Sequence, residues 1–219
     1  VRDGLIPRET EIRIEVVTGR QFVRADTLEI YRGLADPDIQ SFRAGLMKPG
    51  VPIVTALLVG IQLRFYLLTK VPGGTEFLLN HFPNWAPGIL EQGQVHRLFS
   101  YGLLHLNLSH LLLNLVFLGY VGWNLERGLG RRNMLTVFCF SVFLGGLLSM
   151  LFSPGRPSLG SSGGDFGLLA ASVVFGWKHE LLIPDRARRF FGWAVLPYLV
   201  LSMAMGFQSA SVDHWGHAG

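Results

Sequence analysis

The sequence predicts an all-α polytopic membrane protein, and three observations support that fold class. Hydrophobic residues make up 49% of the 219 residues and charged residues only 16%, which is more apolar than an ordinary soluble domain. The chain contains 27 glycines, and glycine is commoner in transmembrane helices than in soluble ones. The apolar residues are gathered into five long blocks and the start of a sixth, separated by polar connections.

The first 48 residues are more polar than the rest of the chain. Apolar and polar residues alternate on both sides of Thr18-Gly19, which is typical of a strand, a turn and a second strand. The apolar positions before the turn are Ile12, Ile14 and Val16, and the second run extends from Phe22 to Ile30. We therefore expect residues 1–48 to form a small polar cytoplasmic segment, with a β-hairpin from a small soluble domain, and residues 49–219 to form the transmembrane core.

The apolar blocks define the expected helices of that core. The first block, Val51 to Thr69, is long enough for a spanning helix of about 20 residues. The connection from Lys70 to Arg97 is rich in proline, glycine and aromatic residues, so it is expected to lie in the membrane interface. A sixth helix is expected to begin near His214 and to be truncated at Gly219. The intervening blocks are Leu98 to Leu125, Met134 to Phe152, Ser162 to Trp177 and Phe190 to Phe207.

Basic residues predict how these helices are oriented. The connections after the second and fourth blocks are rich in Lys and Arg, which favours the cytoplasmic side of the membrane, whereas the connections after the third and fifth blocks are not. The N-terminus is then cytoplasmic as well, and the expected location is the cell (inner) membrane. The basic residues are Arg127, Arg131 and Arg132 after the second block, and Lys178, Arg186, Arg188 and Arg189 after the fourth.

Polar side chains occur where the second, fourth and sixth helices begin, which in this orientation is near the outer face. They are His105, His110 and Asn114, then Ser161 and Ser162, then His217. Each pair of successive sites is separated by two crossings of about 20 residues plus a loop, so the three groups are expected at a similar depth.

These residue types fit a site for nucleophilic attack on a carbonyl. His110 and Asn114 are four residues apart and share one helix face. A nucleophilic serine needs a base to take its proton and fixed donors to hold the developing oxyanion. Ser162, His217, His110 and Asn114 supply these parts, and the glycines on both sides of the serine pair permit close approach of a substrate backbone. Ser161 is the less favoured of the two serines.

With these residues, the chain resembles the rhomboid family of intramembrane serine proteases. The resemblance covers about residues 50 to 219 and lies in four stretches, His105 to Asn114, Glu126 to Gly130, Gly160 to Gly163 and Val212 to Gly219. It implies a six-transmembrane-helix bundle with a Ser-His dyad and no catalytic aspartate. It also implies that Ser162 is the nucleophile, that His217 is the general base and acid, and that His110 and Asn114 help to form the oxyanion hole.

Two positions depart from the pattern of that family. His96-Arg97 stands where the family often has Trp-Arg, and Phe166 stands where a tyrosine is common. Neither change removes a reacting group. The resulting prediction is an intramembrane serine endopeptidase that cleaves transmembrane segments of other membrane proteins near the outer leaflet.

Two alternatives remain open from the sequence. A catalytically silent relative that binds membrane proteins for quality control is disfavoured because Ser162 and His217 are both present. A small transporter or channel is disfavoured by an expected absence of intramembrane carboxylates. The oligomeric state is not predicted.

Other classes of site are excluded by motif. The net charge of +4 comes without a nucleic-acid recognition motif. Cys139 is the single cysteine, so a multi-cysteine metal site is impossible. His179-Glu180 is not followed by a second histidine at zinc-protease spacing. We expect neither a metal nor a cofactor; the expected partners are the lipid bilayer and the transmembrane segments of substrates.

Overall fold

The computed structural model describes residues 11–16, 19–24, 36–47, 51–180, 183, 185–200 and 213–219. Near the N-terminus, β1 (Glu11–Val16) and β2 (Gly19–Arg24) pair antiparallel, with Val16 opposite Gly19. A helix, α1 (Pro37–Met47), follows. That residues 1–48 form a cytoplasmic soluble segment, separate from the core, stays a prediction.

The described core is helical. Helices α6 and α7 are continuous through a π-helical turn at Leu118–Gly122, and short 3-10 turns occur at Tyr101–Leu103, Asp185–Phe190 and Gly192–Ala194. The helices are α2 (Ile53–Leu68), α3 (Gly74–His81), α4 (Ala86–Leu90), α5 (Arg97–Ser100), α6 (Leu108–Phe117), α7 (Trp123–Leu129), α8 (Arg131–Phe152), α9 (Ser162–Lys178) and α10 (His214–Ala218).

Within the described residues, two helical stretches are long and apolar enough to cross a membrane. They are Leu108–Leu129, which comprises α6, the π turn and α7, and Arg131–Phe152, which is α8; each has 22 residues. The apolar helix α2 is shorter. Part of the predicted fifth helix, residues 201–207, lies outside the described residues. The count of six spanning helices therefore stays a prediction.

Helix α6 corresponds to the second apolar block of the sequence, and it begins ten residues later than the predicted start at Leu98. Asn107 ends the preceding loop, and its side chain accepts a hydrogen bond of 2.8 Å from the backbone N–H of His110. A side chain that caps the first turn in this way defines a helix start. The expectation that His105 lies on this helix is wrong, because it precedes the cap.

The connection between α2 and α6 is folded against the core. The guanidinium of Arg97 is buried and donates to the carbonyls of Pro83 and Asn80. Asn84 exchanges two backbone hydrogen bonds of 2.9 Å with Ser158, and its side chain donates to the Gly146 carbonyl at 2.7 Å. These bonds tie the connection to α8 and to the loop that leads into α9.

Glycine allows α8, α9 and α10 to approach closely. A Cβ atom added at Gly167 of α9 would lie 1.9 Å from the Ser141 Oγ of α8. A Cβ at Gly145 of α8 or at Gly163 of α9 would lie 2.3 or 2.7 Å from the Gly216 carbonyl oxygen of α10. Larger residues at these positions would force the helices apart, since real Cβ atoms do not approach other atoms this closely. Three helices therefore meet at one point.

Glu126 of α7 holds the start of α2. It is 4% exposed, and its two carboxylate oxygens accept hydrogen bonds from the backbone N–H groups of Val54 and Thr55 at 2.9 and 2.7 Å. The Thr55 hydroxyl donates to the same carboxylate at 2.9 Å. The first N–H groups of a helix have no partner within the helix. Glu126 satisfies two of them and places its negative charge at the positive end of α2.

Replacing Glu126 by alanine is therefore expected to destabilise the protein. Two N–H groups at the start of α2 would lose their acceptors, and each buried unsatisfied donor costs about 1–3 kcal/mol. The midpoint of thermal unfolding in detergent micelles measures the effect, with the exposed Glu91 replaced by alanine as the control. An unchanged midpoint for Glu126→Ala would mean that the carboxylate does not hold α2.

Candidate active site

Ser162 and His217 are directly hydrogen-bonded. Ser162 is the first residue of α9, and His217 lies in α10. The Oγ atom of Ser162 and the Nε2 atom of His217 are 2.7 Å apart. This is the distance and pairing needed for an imidazole to accept the proton of a serine hydroxyl.

The position of His217 is fixed by the short turn that contains it. The Asp213 side chain caps this turn by accepting a hydrogen bond of 3.1 Å from the Gly216 N–H. The Phe166 ring lies against the imidazole of His217, with ring centroids 4.5 Å apart and planes tilted by 37°. Phe166 therefore makes a ring contact with His217 although it stands where a tyrosine is common in the resembling family.

His110 and Asn114 lie on one face of α6 and reach the residue before the serine pair. A Cβ atom at Gly160 would be 2.8 Å from the Nε2 of His110 and 3.7 Å from the Nδ2 of Asn114. Gly160 also has a φ of +124°, a conformation that only glycine adopts readily. Gly160 therefore has both a backbone and a steric requirement for glycine.

Asn114 has an unused hydrogen-bond donor at this site. Its side chain is 4% exposed, and its Nδ2 atom has no hydrogen-bond partner among the described residues. A buried polar group without a partner is costly in a folded protein. Such a group next to a cavity is available to a ligand atom.

A cavity of about 1010 Å³ joins these groups. Its lining includes Ser162, His217, His110 and Asn114, so the structure brings all four predicted site residues to one space. Apolar side chains such as Leu113, Phe117 and Leu169 form other parts of the wall. The cavity is large enough for several residues of an extended peptide.

The remaining residues singled out from the sequence surround the site. His105 is buried and packs edge-on against His110, with ring centroids 5.0 Å apart. Ser161 is fully buried, and its hydroxyl points to Gln62 and Asp165 instead of to His217. The two serines therefore have different environments.

Two contributors were missed from the sequence. Tyr101 accepts a hydrogen bond of 3.0 Å from the Gly160 N–H at its carbonyl, and its hydroxyl donates to the Val142 carbonyl at 2.8 Å. Asp165 is 4% exposed within α9, one of the helices expected to span the membrane, although no carboxylate was expected within those helices. A polar residue inside an apolar block was the available signal for Asp165.

The fold and the site define a class: a helical membrane protein with a hydrogen-bonded serine and histidine facing a cavity. The sequence matches the family described as the Rhomboid domain over residues 92–219, which is more than half of the chain. The chain belongs to the rhomboid family.

Similar proteins include both proteases and a relative named inactive. The chain is 28% identical to Rhomboid protease GluP of Bacillus subtilis (strain 168) over 80% of the chain and 34% of that protein. It is 32% identical to Rhomboid-like protease 3 of Toxoplasma gondii over 58% of the chain and 48% of that protein. It is also 26% identical to Inactive rhomboid-related protein 2 of Caenorhabditis elegans, over 77% of the chain and 51% of that protein. The chain thus spans between a third and a half of the length of these relatives.

Proposed function

We propose that this chain is an intramembrane serine endopeptidase with Ser162 and His217 as its catalytic dyad. The observation that supports the proposal most strongly is the 2.7 Å separation of Ser162 Oγ and His217 Nε2 inside a cavity. A serine hydroxyl is a weak nucleophile until an adjacent base accepts its proton. Family membership and the relatives named as proteases point to the same activity.

The reaction follows from this geometry in two steps. His217 Nε2 takes the proton of Ser162 while Oγ bonds to the carbonyl carbon of the scissile peptide. The tetrahedral intermediate then collapses: the C–N bond breaks, His217 gives its proton to the leaving nitrogen, and an acyl-enzyme ester remains on Ser162. A water molecule, deprotonated by His217, attacks the ester carbon; the bond from this carbon to Oγ then breaks, His217 returns the proton to Ser162 Oγ, and the carboxyl product leaves.

The oxyanion of each tetrahedral intermediate requires donors that are already in place. Asn114 offers its unpaired Nδ2 group, and His110 lines the same part of the cavity. The Ser162 backbone N–H, at the positive end of α9, is a further donor. Donors held in a water-poor site stabilise developing charge without having to reorganise. We assign the oxyanion hole to these groups.

The substrates are proposed to be transmembrane segments of other proteins, cleaved near the outer leaflet. A peptide bond within a helix is shielded by its own hydrogen bonds and side chains, so the segment must unwind before Ser162 can attack. Glycine and proline lower the cost of unwinding. Segments that contain them near the cavity depth are therefore expected to be cut faster.

A catalytically silent protein that binds membrane proteins is the second candidate, because one similar protein is named inactive. The test is a cleavage assay with the chain in lipid vesicles and a panel of single-span proteins, with and without glycine or proline in the span. We expect cleavage of the weakened spans at positions that mass spectrometry places within the apolar segment. Binding of the panel without cleavage would support the silent alternative.

The proposed role of Asn114 as a donor in the oxyanion hole can be tested by substitution. Replacing Asn114 by leucine, which has a similar size, is expected to lower kcat by about 10²–10³-fold, as loss of one oxyanion donor does elsewhere. KM should change little, because the donor acts mainly in the transition state. Asn124 lies on α7 and bonds to the Tyr120 carbonyl, so Asn124→Leu is the control. Equal kcat values for the two variants would contradict the assigned role.

A further inference from the structure

A buried polar cluster connects α2 to the start of α9. Ser161 Oγ lies 3.2 Å from Gln62 Oε1 of α2 and 3.3 Å from Asp165 Oδ2 of α9. Gln62 and Ser161 are fully buried, and Asp165 is 4% exposed. Three polar side chains inside an apolar bundle are costly unless they bond to one another. None of the three has a part in the dyad chemistry described above.

Asp165 takes part in this cluster through a hydrogen bond and without an ion pair among the described residues. Among the described residues no salt bridge to it is found, and its Oδ1 atom has no hydrogen-bond partner. Its recorded contact is therefore the hydrogen bond from Ser161.

The hydrogen bonds can be ordered within the cluster. Ser161 has one hydroxyl proton, so it cannot donate to Gln62 and Asp165 together. The nitrogen and oxygen of a glutamine amide are assigned from the surrounding bonds. If the amide is turned, Gln62 donates to Ser161 Oγ, and Ser161 donates to Asp165 Oδ2. The result is one chain of hydrogen bonds from α2 to the first turn of α9.

This chain of bonds holds the backbone that carries Ser162. On one side, the Gly160 N–H bonds to the Tyr101 carbonyl at 3.0 Å. On the other, Ser161 is held through its side chain by Gln62 and Asp165. We propose that Asp165 is a positioning residue, which through Ser161 keeps the Ser162 hydroxyl in register with His217. The role rests on the proposed function of the Ser162–His217 pair.

The test compares Asp165→Leu, Asp165→Asn and Ser161→Ala with the wild-type chain in lipid vesicles. Misplacing a reacting group by about 1 Å can cost about 10²-fold in rate. Asp165→Leu and Ser161→Ala are therefore expected to lower kcat by at least about tenfold. Both should lower the rate constant of Ser162 labelling by a small phosphonofluoridate to the same extent, with KM unchanged. Asp165→Asn keeps an oxygen acceptor and is expected to recover most of the activity.

Two further measurements make each outcome decisive. The double variant Ser161→Ala/Asp165→Leu should be no slower than either single variant, because residues that act as one unit are not additive. Ser172, a fully buried serine on the same helix, is the control as Ser172→Ala and should cleave and label like the wild type.

Opposite results would overturn the positioning role. The role is wrong if Asp165→Leu and Ser161→Ala both keep the wild-type kcat and labelling rate. It is also wrong if Ser172→Ala lowers kcat and the labelling rate as much as these two variants do. If Asp165→Leu does not fold, Ser161→Ala decides, and wild-type kcat and labelling in that variant would overturn the role. A wild-type chain that neither cleaves nor labels would instead refute the proposed function, and the positioning role with it.

Discussion

Ser162→Ala is expected to remove the cleavage activity, with kcat reduced by at least about 10⁴-fold. The substitution deletes the hydroxyl oxygen that lies 2.7 Å from His217 Nε2 and that this imidazole is positioned to deprotonate. KM should stay close to the wild-type value, because alanine leaves the walls of the cavity in place. Steady-state cleavage of a single-span substrate in vesicles measures both quantities.

Two companion variants sharpen this result. His217→Ala should reduce kcat to a similar extent, and combining it with Ser162→Ala should add almost nothing, since the two residues act as one unit. Ser149→Ala changes a buried serine on α8 and is the matched control. Cleavage that persists in Ser162→Ala at the wild-type rate would contradict the assignment of the nucleophile.

Gly145→Leu is expected to abolish cleavage although residue 145 is not among the reacting groups. A Cβ atom at Gly145 would lie 2.3 Å from the Gly216 carbonyl oxygen and 3.0 Å from the Tyr101 hydroxyl. The first contact is with backbone, so relief requires α10 to move away from α8. Because His217 is the residue after Gly216, the same movement separates the imidazole from Ser162. A displacement of about 1 Å is enough to lower the rate by about 10²-fold.

Gly60 provides the control for that experiment. It lies in the apolar helix α2, where an added Cβ atom would meet nothing within 4 Å. Gly60→Leu should therefore retain cleavage, while Gly145→Leu loses both cleavage and labelling of Ser162. Retained activity in Gly145→Leu would mean that α10 does not need this contact to place His217.

The four site residues could be predicted because their chemistry restricts them strongly. Hydroxyl, imidazole and amide groups are rare at the starts of apolar helices, so Ser162, His217, His110 and Asn114 stood out. Chain spacing gave their common depth because each crossing of a bilayer takes about 20 residues. The structure places all four around one cavity, and their catalytic roles remain proposals.

Features that depend on tertiary contacts could not be predicted in the same way. Hydropathy alone did not separate the loop before Leu108 from the helix after it, since the cap is made by the polar Asn107 within an apolar run. The environment of Asp165 depends on Gln62, which is 103 residues earlier in the chain. Periodicity within one helix carries no information on such a partner. The same limit applies to Gly145, whose closest neighbour is the Gly216 carbonyl of α10.

The most direct test of the central claim is covalent labelling of the wild-type chain in lipid vesicles with a phosphonofluoridate, followed by peptide mapping. A serine activated by an adjacent imidazole should carry the adduct at Ser162, and labelling should be lost in His217→Ala. An adduct on another residue, or labelling of Ser162 at the same rate without His217, would contradict a Ser162–His217 dyad.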